Sequence, residues 1–116
     1  MEIKDSKNIS GKGLYTTIKY KKEDIIYTLT GKISDYPTRE TIHIGNNKHI
    51  YDDYGIYINH SFTPNIYIDN INVVALVDIA ADDEVMFNYN ETEINMACPF
   101  YADNKLVNGN KKNIIK

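Results

Sequence analysis

The stretch Ile58-Asn59-His60-Ser61-Phe62-Thr63-Pro64-Asn65 is the least ordinary part of this 116-residue sequence. Isoleucine and tyrosine flank it on both sides, at positions 56–57 and 66–68. Polar side chains set between such flanks are expected to be partly buried, and buried polar groups need hydrogen-bond partners. Taken alone, the stretch is equally compatible with an ordinary turn, because Ser, Pro and Asn all favour turns.

Two further segments narrow the interpretation. Gly11-Lys12-Gly13-Leu14 precedes the stretch, and Asp83-Glu84-Val85-Met86-Phe87-Asn88-Tyr89 follows it. In this order and at this spacing, the three segments resemble the motifs G-x-G-Φ, N-H-S-x-x-P-N and E-Φ-x-F/Y-D-Y of the SET-domain protein lysine methyltransferases. The second motif is the most specific of the three. The resemblance covers residues 10–100 of the chain.

The sequence pattern favours a mainly β chain. Alternating residues predict hairpins over 41–51 and 65–78, which turn at Gly45-Asn46-Asn47 and near Asp69-Asn70. Further strands are predicted at 2–4, 14–18, 24–30 and 84–87, with a loop at 34–39 and helical turns within 91–97. The resemblance implies the SET fold, in which small curved sheets surround a knot-like C-terminal core. We expect one SET-like domain over 1–100 and a mobile tail over 101–116.

The resemblance also implies a reaction and its residues. The methyl donor of the family is S-adenosyl-L-methionine, and the substrate is a lysine-containing protein or peptide. Tyr89 matches the catalytic tyrosine, and Phe87 matches the position that governs how many methyl groups are added. A Phe there leaves space for di- or trimethyl-lysine, whereas a Tyr restricts it. The cofactor-binding residues that the resemblance implies are Gly11, Lys12, Gly13, Leu14, Asn59, His60, Tyr89 and Phe100.

The sequence departs from the family pattern in two regions. Asn88 stands where the family usually has Asp, which removes a charge but keeps a hydrogen-bond acceptor. Residues 96–100 resemble the approach to the zinc-binding post-SET segment, but Tyr101, Asp103 and Asn108 stand where its cysteines would follow. We therefore predict no metal. Phe100 and Tyr101 could cover the donor instead, or a second subunit of a homodimer could do so.

Charge is distributed unevenly along the chain. Residues 51–104 contain ten acidic residues and no Lys or Arg, although the whole chain has a net charge of only −3. An acidic surface attracts cationic partners such as a basic tail and disfavours direct binding to nucleic acid. The same charge could simply form a solvated face.

Composition excludes several other classes of protein. The length predicts one domain, and the 42% hydrophobic content is enough for a modest core. No window of 18 apolar residues predicts a membrane span, and no apolar segment near the start predicts a signal peptide. The single cysteine, Cys98, cannot form an internal disulfide, and we expect a cytoplasmic location.

Other interpretations stay open at this point. His43 and His49 fall opposite each other in the first predicted hairpin, where they could pair without binding a metal. The leading functional hypothesis is a protein lysine N-methyltransferase. One alternative is a catalytically impaired SET-fold protein that binds donor or a basic peptide without turnover. Another is a small acidic β domain that pairs with a basic protein.

Overall fold

The computed structural model describes residues 1–93, 96, 99–110 and 113. Twelve short strands dominate these residues, and two 3₁₀ turns lie at Gly55–Tyr57 and Tyr89–Glu91. The strands are β1 (Glu2–Asp5), β2 (Lys12–Tyr15), β3 (Ile25–Thr28), β4 (Lys32–Ser34), β5 (Ile42–Gly45), β6 (Lys48–Tyr51), β7 (Asn59–His60), β8 (Ile66–Asp69), β9 (Asn72–Ala75), β10 (Met86–Phe87), β11 (Phe100–Ala102) and β12 (Lys105–Val107). The prediction of a mainly β fold of small sheets is confirmed.

The strands form five small sheets. Two have three strands, in the orders β3-β9-β8 and β4-β6-β5. The pairs β1-β2 and β11-β12 are antiparallel, whereas β7 and β10 pair in parallel. Parallel neighbours cannot be joined by a tight turn, so the β7–β10 pair unites segments that are far apart in the chain.

Asparagine-rich turns close the hairpins. Asn46 and Asn47 both have positive φ, at 51° and 57°, and they connect β5 to β6. Asn70, with φ of 56°, lies between β8 and β9. Asn tolerates the left-handed region better than most residues do, which explains why the turns occur at the predicted positions. His43 lies opposite His49, so the expected cross-strand pair is also confirmed.

Several predicted boundaries were wrong. Strand β2 ends at Tyr15 instead of 18 because Thr16 turns to another segment, where its N–H donates to the Asp83 carbonyl oxygen at 2.9 Å. The strand predicted at 24–30 is confined to Ile25–Thr28, and the one predicted at 72–78 ends at Ala75. The Leu76 N–H still donates to the Asn65 carbonyl oxygen at 2.9 Å, in register with β8, and the chain then bends at 76–77.

Four strands, β4, β7, β11 and β12, and the 3₁₀ turn at Gly55–Tyr57 were not predicted. Strand β4 occupies 32–34 and overlaps the first residue of the predicted loop, and β7 lies within the motif at 59–60. The hairpin β11-β12 occupies the first part of the predicted mobile tail, and Val107 is fully buried there. The domain boundary at 100 and the mobility of the tail stay predictions. Of the helical turns predicted within 91–97, positions 94, 95 and 97 lie outside the described residues.

The sheets enclose one apolar core. Its central members are fully buried aliphatic side chains contributed by both halves of the chain, among them Leu14, Leu29, Ile50, Ile58, Ile66, Val73 and Val85. Ile58 directly precedes the Asn-His motif, and Val85 lies between the motif residues Glu84 and Met86. Burial of these two side chains therefore fixes the segments that carry the candidate site. No helix in the described part of the chain is long and apolar enough to cross a membrane.

Candidate active site

A parallel pairing of two-residue strands brings the second and third motifs together. Asn59 lies opposite Met86, and His60 lies opposite Phe87. Asn65, the last residue of the motif, bridges the same segments. Its side-chain amide donates to the Glu84 carbonyl oxygen at 2.8 Å, and its Oδ1 accepts from the Met86 N–H at 2.9 Å. The motif is therefore a structural clasp as well as a candidate binding site.

The side chain of Glu84 connects all three motifs. Its carboxylate is 7% exposed and accepts hydrogen bonds from Ser6 Oγ at 2.6 Å and Asn8 Nδ2 at 3.0 Å. Asn59 Nδ2 donates to Glu84 Oε2 at 2.9 Å and to the Lys12 carbonyl oxygen at 2.8 Å. A buried carboxylate with this many donors is a structural acceptor, and the Asn59 amide is occupied with bracing its neighbours.

The glycine motif makes room for this carboxylate. A Cβ atom on Gly13 would lie 2.5 Å from Glu84 Oε2, a distance that real Cβ atoms do not adopt. Gly11 has a φ of +101°, a backbone conformation that L side chains rarely adopt. Leu14 is fully buried in the core. Gly13 is thus explained by close packing on Glu84 rather than by close approach of a ligand.

His60 is held by the backbone of the segment that carries Tyr89. Its Nδ1 accepts a hydrogen bond from the Tyr89 N–H at 3.1 Å, so the proton of the neutral ring lies on Nε2. Burial lowers the pKa of His60, which keeps the ring neutral at physiological pH. Nε2 is buried and has no hydrogen-bond partner among the described residues. The Nε2–H group is therefore a buried donor that is unsatisfied within the described residues.

Tyr89 is anchored at its hydroxyl and at its backbone. The hydroxyl donates to the Ile58 carbonyl oxygen at 2.7 Å. Burial raises the pKa of Tyr89 strongly, and the nearby carboxylates of Glu93 and Glu84 add to that effect. The hydroxyl consequently stays protonated, which suits a hydrogen-bonding or positioning role and not that of a base.

Two cavities meet at Tyr89. The larger is a groove of about 1410 Å³, and the smaller has a volume of about 50 Å³. Among the residues that line the groove are Asn8, Ile9, Ser10, Asn59, His60, Phe62, Tyr89 and Phe100. Among those that line the small cavity are Ile42, Ile58, Phe87, Tyr89 and Glu93. Ligands in the two cavities would approach each other beside the tyrosine ring.

The structure brings together four of the predicted cofactor-binding residues. Asn59, His60, Tyr89 and Phe100 line the groove. The segment Gly11–Leu14 does not line it; the three residues before that segment do. The cofactor-binding roles of all the predicted residues, those of Gly11, Lys12, Gly13 and Leu14 included, stay predictions. Phe87 is 3% exposed and lines the small cavity, with its ring centre 4.8 Å from that of Tyr89.

The β11-β12 hairpin covers one end of the groove. The Phe100 ring centre lies 5.8 Å from that of His60 and 6.0 Å from that of Tyr89, both in edge-to-face geometry. Lys105 Nζ lies 5.2 Å from the centre of the Phe62 ring. Within the described residues no cluster of His, Cys, Asp and Glu is arranged to hold a metal, and Cys98 lies outside them.

Sequence reasoning missed Glu93. This side chain is 6% exposed and belongs to the wall of the small cavity. The surrounding sequence, Asn90-Glu91-Thr92-Glu93, is polar and reads as a solvent-exposed turn. The one available sequence signal was the short separation between Glu93 and Tyr89 along the chain.

Comparisons with known proteins agree with the geometry. A model of the SET domain family matches residues 11–90. The chain is also similar to the crystal structure of a Plasmodium falciparum protein described as a candidate histone methyltransferase. The TM-score is 0.62 and the sequence identity 26%, over 76% of this chain and 94% of that one. A search of curated protein sequences finds no match.

Proposed function

Because the chain belongs to the SET-domain family, we propose that it is a protein lysine N-methyltransferase that uses S-adenosyl-L-methionine. The observation that carries this proposal is the position of Tyr89 in the wall of both cavities. A methyl donor in the groove and a lysine side chain in the small cavity would meet beside this ring. Holding two reactants in line in this way is a major source of rate acceleration.

The groove has the chemistry that the donor needs. Its lining combines His60 with aromatic rings from Phe62, Tyr89 and Phe100. A nucleoside ring can pack on such aromatic faces. Asp103 adds a negative charge to the lining, which favours a cationic ligand. When bound, S-adenosylmethionine supplies an electrophilic methyl group on a sulfonium centre.

The residues around Tyr89 position the reactants. Its hydroxyl stays protonated and is fixed by the Ile58 carbonyl, and its backbone is fixed by His60. The aromatic rings of Tyr89 and Phe87 then form rigid walls on which a lysine side chain can pack. Phe87 presents no hydroxyl towards the amine, so we propose that the products are di- or trimethyl-lysine.

The acidic character of the central segment supports a basic substrate. Residues 51–104, which contain most of the groove lining, carry ten carboxylates and no Lys or Arg. Long-range attraction would raise the local concentration of a positively charged tail around its target lysine. We therefore propose a basic protein segment as the substrate, and this attraction should weaken as salt is added.

A two-part experiment tests the proposed function. Calorimetry with S-adenosylmethionine should show binding to the wild-type protein. Incubation with labelled donor on an array of lysine peptides should then show transfer, and Tyr89→Phe should reduce transfer while leaving donor binding nearly unchanged. Absence of binding at millimolar donor would contradict the proposal.

A second candidate function is a SET-fold protein that binds donor or a basic peptide without turnover. The hydrogen bond between the Tyr89 hydroxyl and the Ile58 carbonyl favours it, because a hydroxyl that is already donating cannot donate elsewhere. The same experiment separates the two functions. Donor binding with no transfer to any peptide, by the wild type as well as by Tyr89→Phe, would support the second candidate.

A further inference from the structure

Glu93 is a buried carboxyl group in the wall of the small cavity. Its side chain is 6% exposed, and it follows the 3₁₀ turn that carries Tyr89. Burial raises the pKa of Glu93, while hydrogen bonds and the nearby His43 partly oppose that effect. A carboxylate so far from water needs a positive partner or strong donors. The structure supplies only part of that requirement.

Both hydrogen bonds to Glu93 fall on one oxygen. Oε2 accepts from the His43 N–H at 2.9 Å and from Thr92 Oγ1 at 2.8 Å. No hydrogen bond to Oε1 and no ion pair to Glu93 is formed within the described residues. Two donors on Oε2 fix the orientation of the carboxyl group. Within the described part of the chain, Oε1 is left available to a ligand.

Among the described groups around Glu93, none supplies the buried positive charge that would pair with its carboxylate. His43 and Thr92 hold it from one side, and the aromatic wall of the cavity contains Phe87 and Tyr89. Glu93 is close enough to Tyr89 for its charge to raise the pKa of that hydroxyl. Arg39 and Glu40 also line the cavity, but both are solvent-exposed and carry opposite charges. A cation that enters the cavity would therefore face one buried acid, Glu93.

We propose that Glu93 recognises the substrate lysine as an ammonium ion and accepts its proton before methyl transfer. This inference rests on the proposed function, because the cation is taken to be the substrate lysine. In the step, one N–H bond of the ammonium breaks and an O–H bond forms at Glu93. A positive and a negative group thus become two neutral groups, and the amine lone pair is set free. A carboxyl group in an apolar site can take a proton more readily than one in water.

The first part of the proposal, recognition of the ammonium ion by Glu93, is tested without turnover. The probes are n-butylammonium, which has the shape of the end of a lysine side chain, and 1-butanol, its neutral counterpart. NMR titration of the wild type at neutral pH should show the ammonium binding at least about 10-fold more tightly than the alcohol. Glu93→Gln keeps an acceptor for His43 and Thr92 but removes the charge, so this preference should fall below about 2-fold. Glu2→Gln, which removes the same charge from the exposed strand β1, should keep it.

The proton-transfer half is tested by the pH dependence of kcat/KM on a lysine peptide from the array. In Glu93→Gln the lysine has to arrive already neutral, so kcat/KM should keep rising towards the pKa of free lysine, near 10.4. In the wild type kcat/KM should level off at lower pH. Coincident profiles would overturn the role as proton acceptor.

The outcomes separate this inference from the proposed function. Methylation with no preference for butylammonium, or with a preference that survives Glu93→Gln, would overturn recognition by Glu93 and leave the methyltransferase intact. A preference that depends on Glu93 in a protein that methylates no peptide would support recognition and contradict the function. Circular dichroism of Glu93→Gln establishes that the variant is folded, and Glu93→Asp provides a second charged variant in which part of the preference should return.

Discussion

Asn59 donates both amide hydrogens to neighbouring segments, one to the Lys12 carbonyl and one to Glu84. Gly13 leaves the space that Glu84 occupies, and Ser6 and Asn8 complete the shell of that carboxylate. At the scale of residues, the candidate site therefore depends on a brace centred on Glu84. Motif residues that the sequence suggests as ligand contacts form hydrogen bonds or pack with one another.

Substitutions in this brace should lower stability. Asn59→Ala leaves two acceptors unpaired, and we expect a loss of about 1–3 kcal/mol in the free energy of unfolding. Gly13→Ala places a methyl group against Glu84 and should destabilise by about 1–3 kcal/mol through overpacking. Because both act on the same carboxylate, the double variant should lose less than the sum. Urea unfolding of the four proteins measures this, and simple additivity would contradict a shared brace.

Phe87 is expected to set the product state. A Tyr hydroxyl at this position can hold a water molecule beside the amine, which takes the space that a methylated lysine needs in order to turn. Phe87→Tyr should therefore shift products towards monomethyl-lysine, with about 1–3 kcal/mol added to the barriers of the later steps. Mass spectrometry of a single-lysine peptide under donor excess measures the distribution. A wild type that stops at monomethyl-lysine would show that Phe87 does not act as this switch.

At the scale of elements, the hairpin β11-β12 takes the place expected for a zinc-binding segment. Phe100 lies against His60 and Tyr89, and Val107 anchors the hairpin in the protein interior. The turn residues Asp103 and Asn104 both have positive φ, as required by a two-residue hairpin turn. This covering element contacts the site through the Phe100 ring, and Asn90 hydrogen-bonds to the Leu106 carbonyl oxygen in β12.

Removal of the Phe100 ring should weaken donor binding. Phe100→Ala exposes His60 and takes away one aromatic face of the groove, so we expect the Kd for S-adenosylmethionine to rise about 10-fold, which corresponds to about 1.4 kcal/mol. Leu106→Ala is the matched control, since Leu106 lies in the partner strand and outside the groove lining. Calorimetry measures both variants. Equal losses of affinity would mean that the hairpin acts only through its stability.

Whether these elements can be predicted from the sequence depends on how far apart in the chain their interacting residues lie. The hairpins β5-β6 and β8-β9 were predicted because alternation and an asparagine turn are local signals. Strand β10 lies within the strand predicted at 84–87 but is shorter, and β7 was not predicted, because these two-residue strands are defined by pairing with each other. The hairpin β11-β12 carried a local signal in Asp103-Asn104, but the polar composition around it outweighed that signal. Glu93 was missed because its burial depends on tertiary packing.

At the scale of the whole molecule, buried histidines make stability depend on pH. His43 and His49 pack with ring centres 5.0 Å apart, and neither ring nitrogen of His49 has a partner among the described residues. Burial lowers the pKa of His49, and His43 adds to that effect. The same direction holds for His60, where burial is again the main cause. The folded protein therefore favours the neutral forms of His49 and His60.

Acidification should destabilise the fold through His49. Its pKa in the unfolded chain is about 6.5, so below that pH the unfolded state binds a proton that the folded state resists. This contribution to the free energy of unfolding should fall by up to about 1.4 kcal/mol per pH unit, until the folded pKa is reached. Glu93, with its raised pKa, acts in the opposite direction at acidic pH. Urea unfolding of wild type and His49→Leu between about pH 5 and 7.5 isolates the histidine, and parallel curves would contradict its role.

The parallel contact between Asn59-His60 and Met86-Phe87 also affects the order of events in folding. Asn65 and Ser61 add hydrogen bonds to this pair. The chain between the two strands must still be ordered first, so the loss of loop entropy is offset by few local contacts. The local hairpins can form early, whereas the site exists only once this late contact has closed. In stopped-flow refolding, competence to bind S-adenosylmethionine should therefore appear in the slowest phase, after most β-sheet signal has returned. A newly made chain would therefore contain most of its β structure before it could bind S-adenosylmethionine.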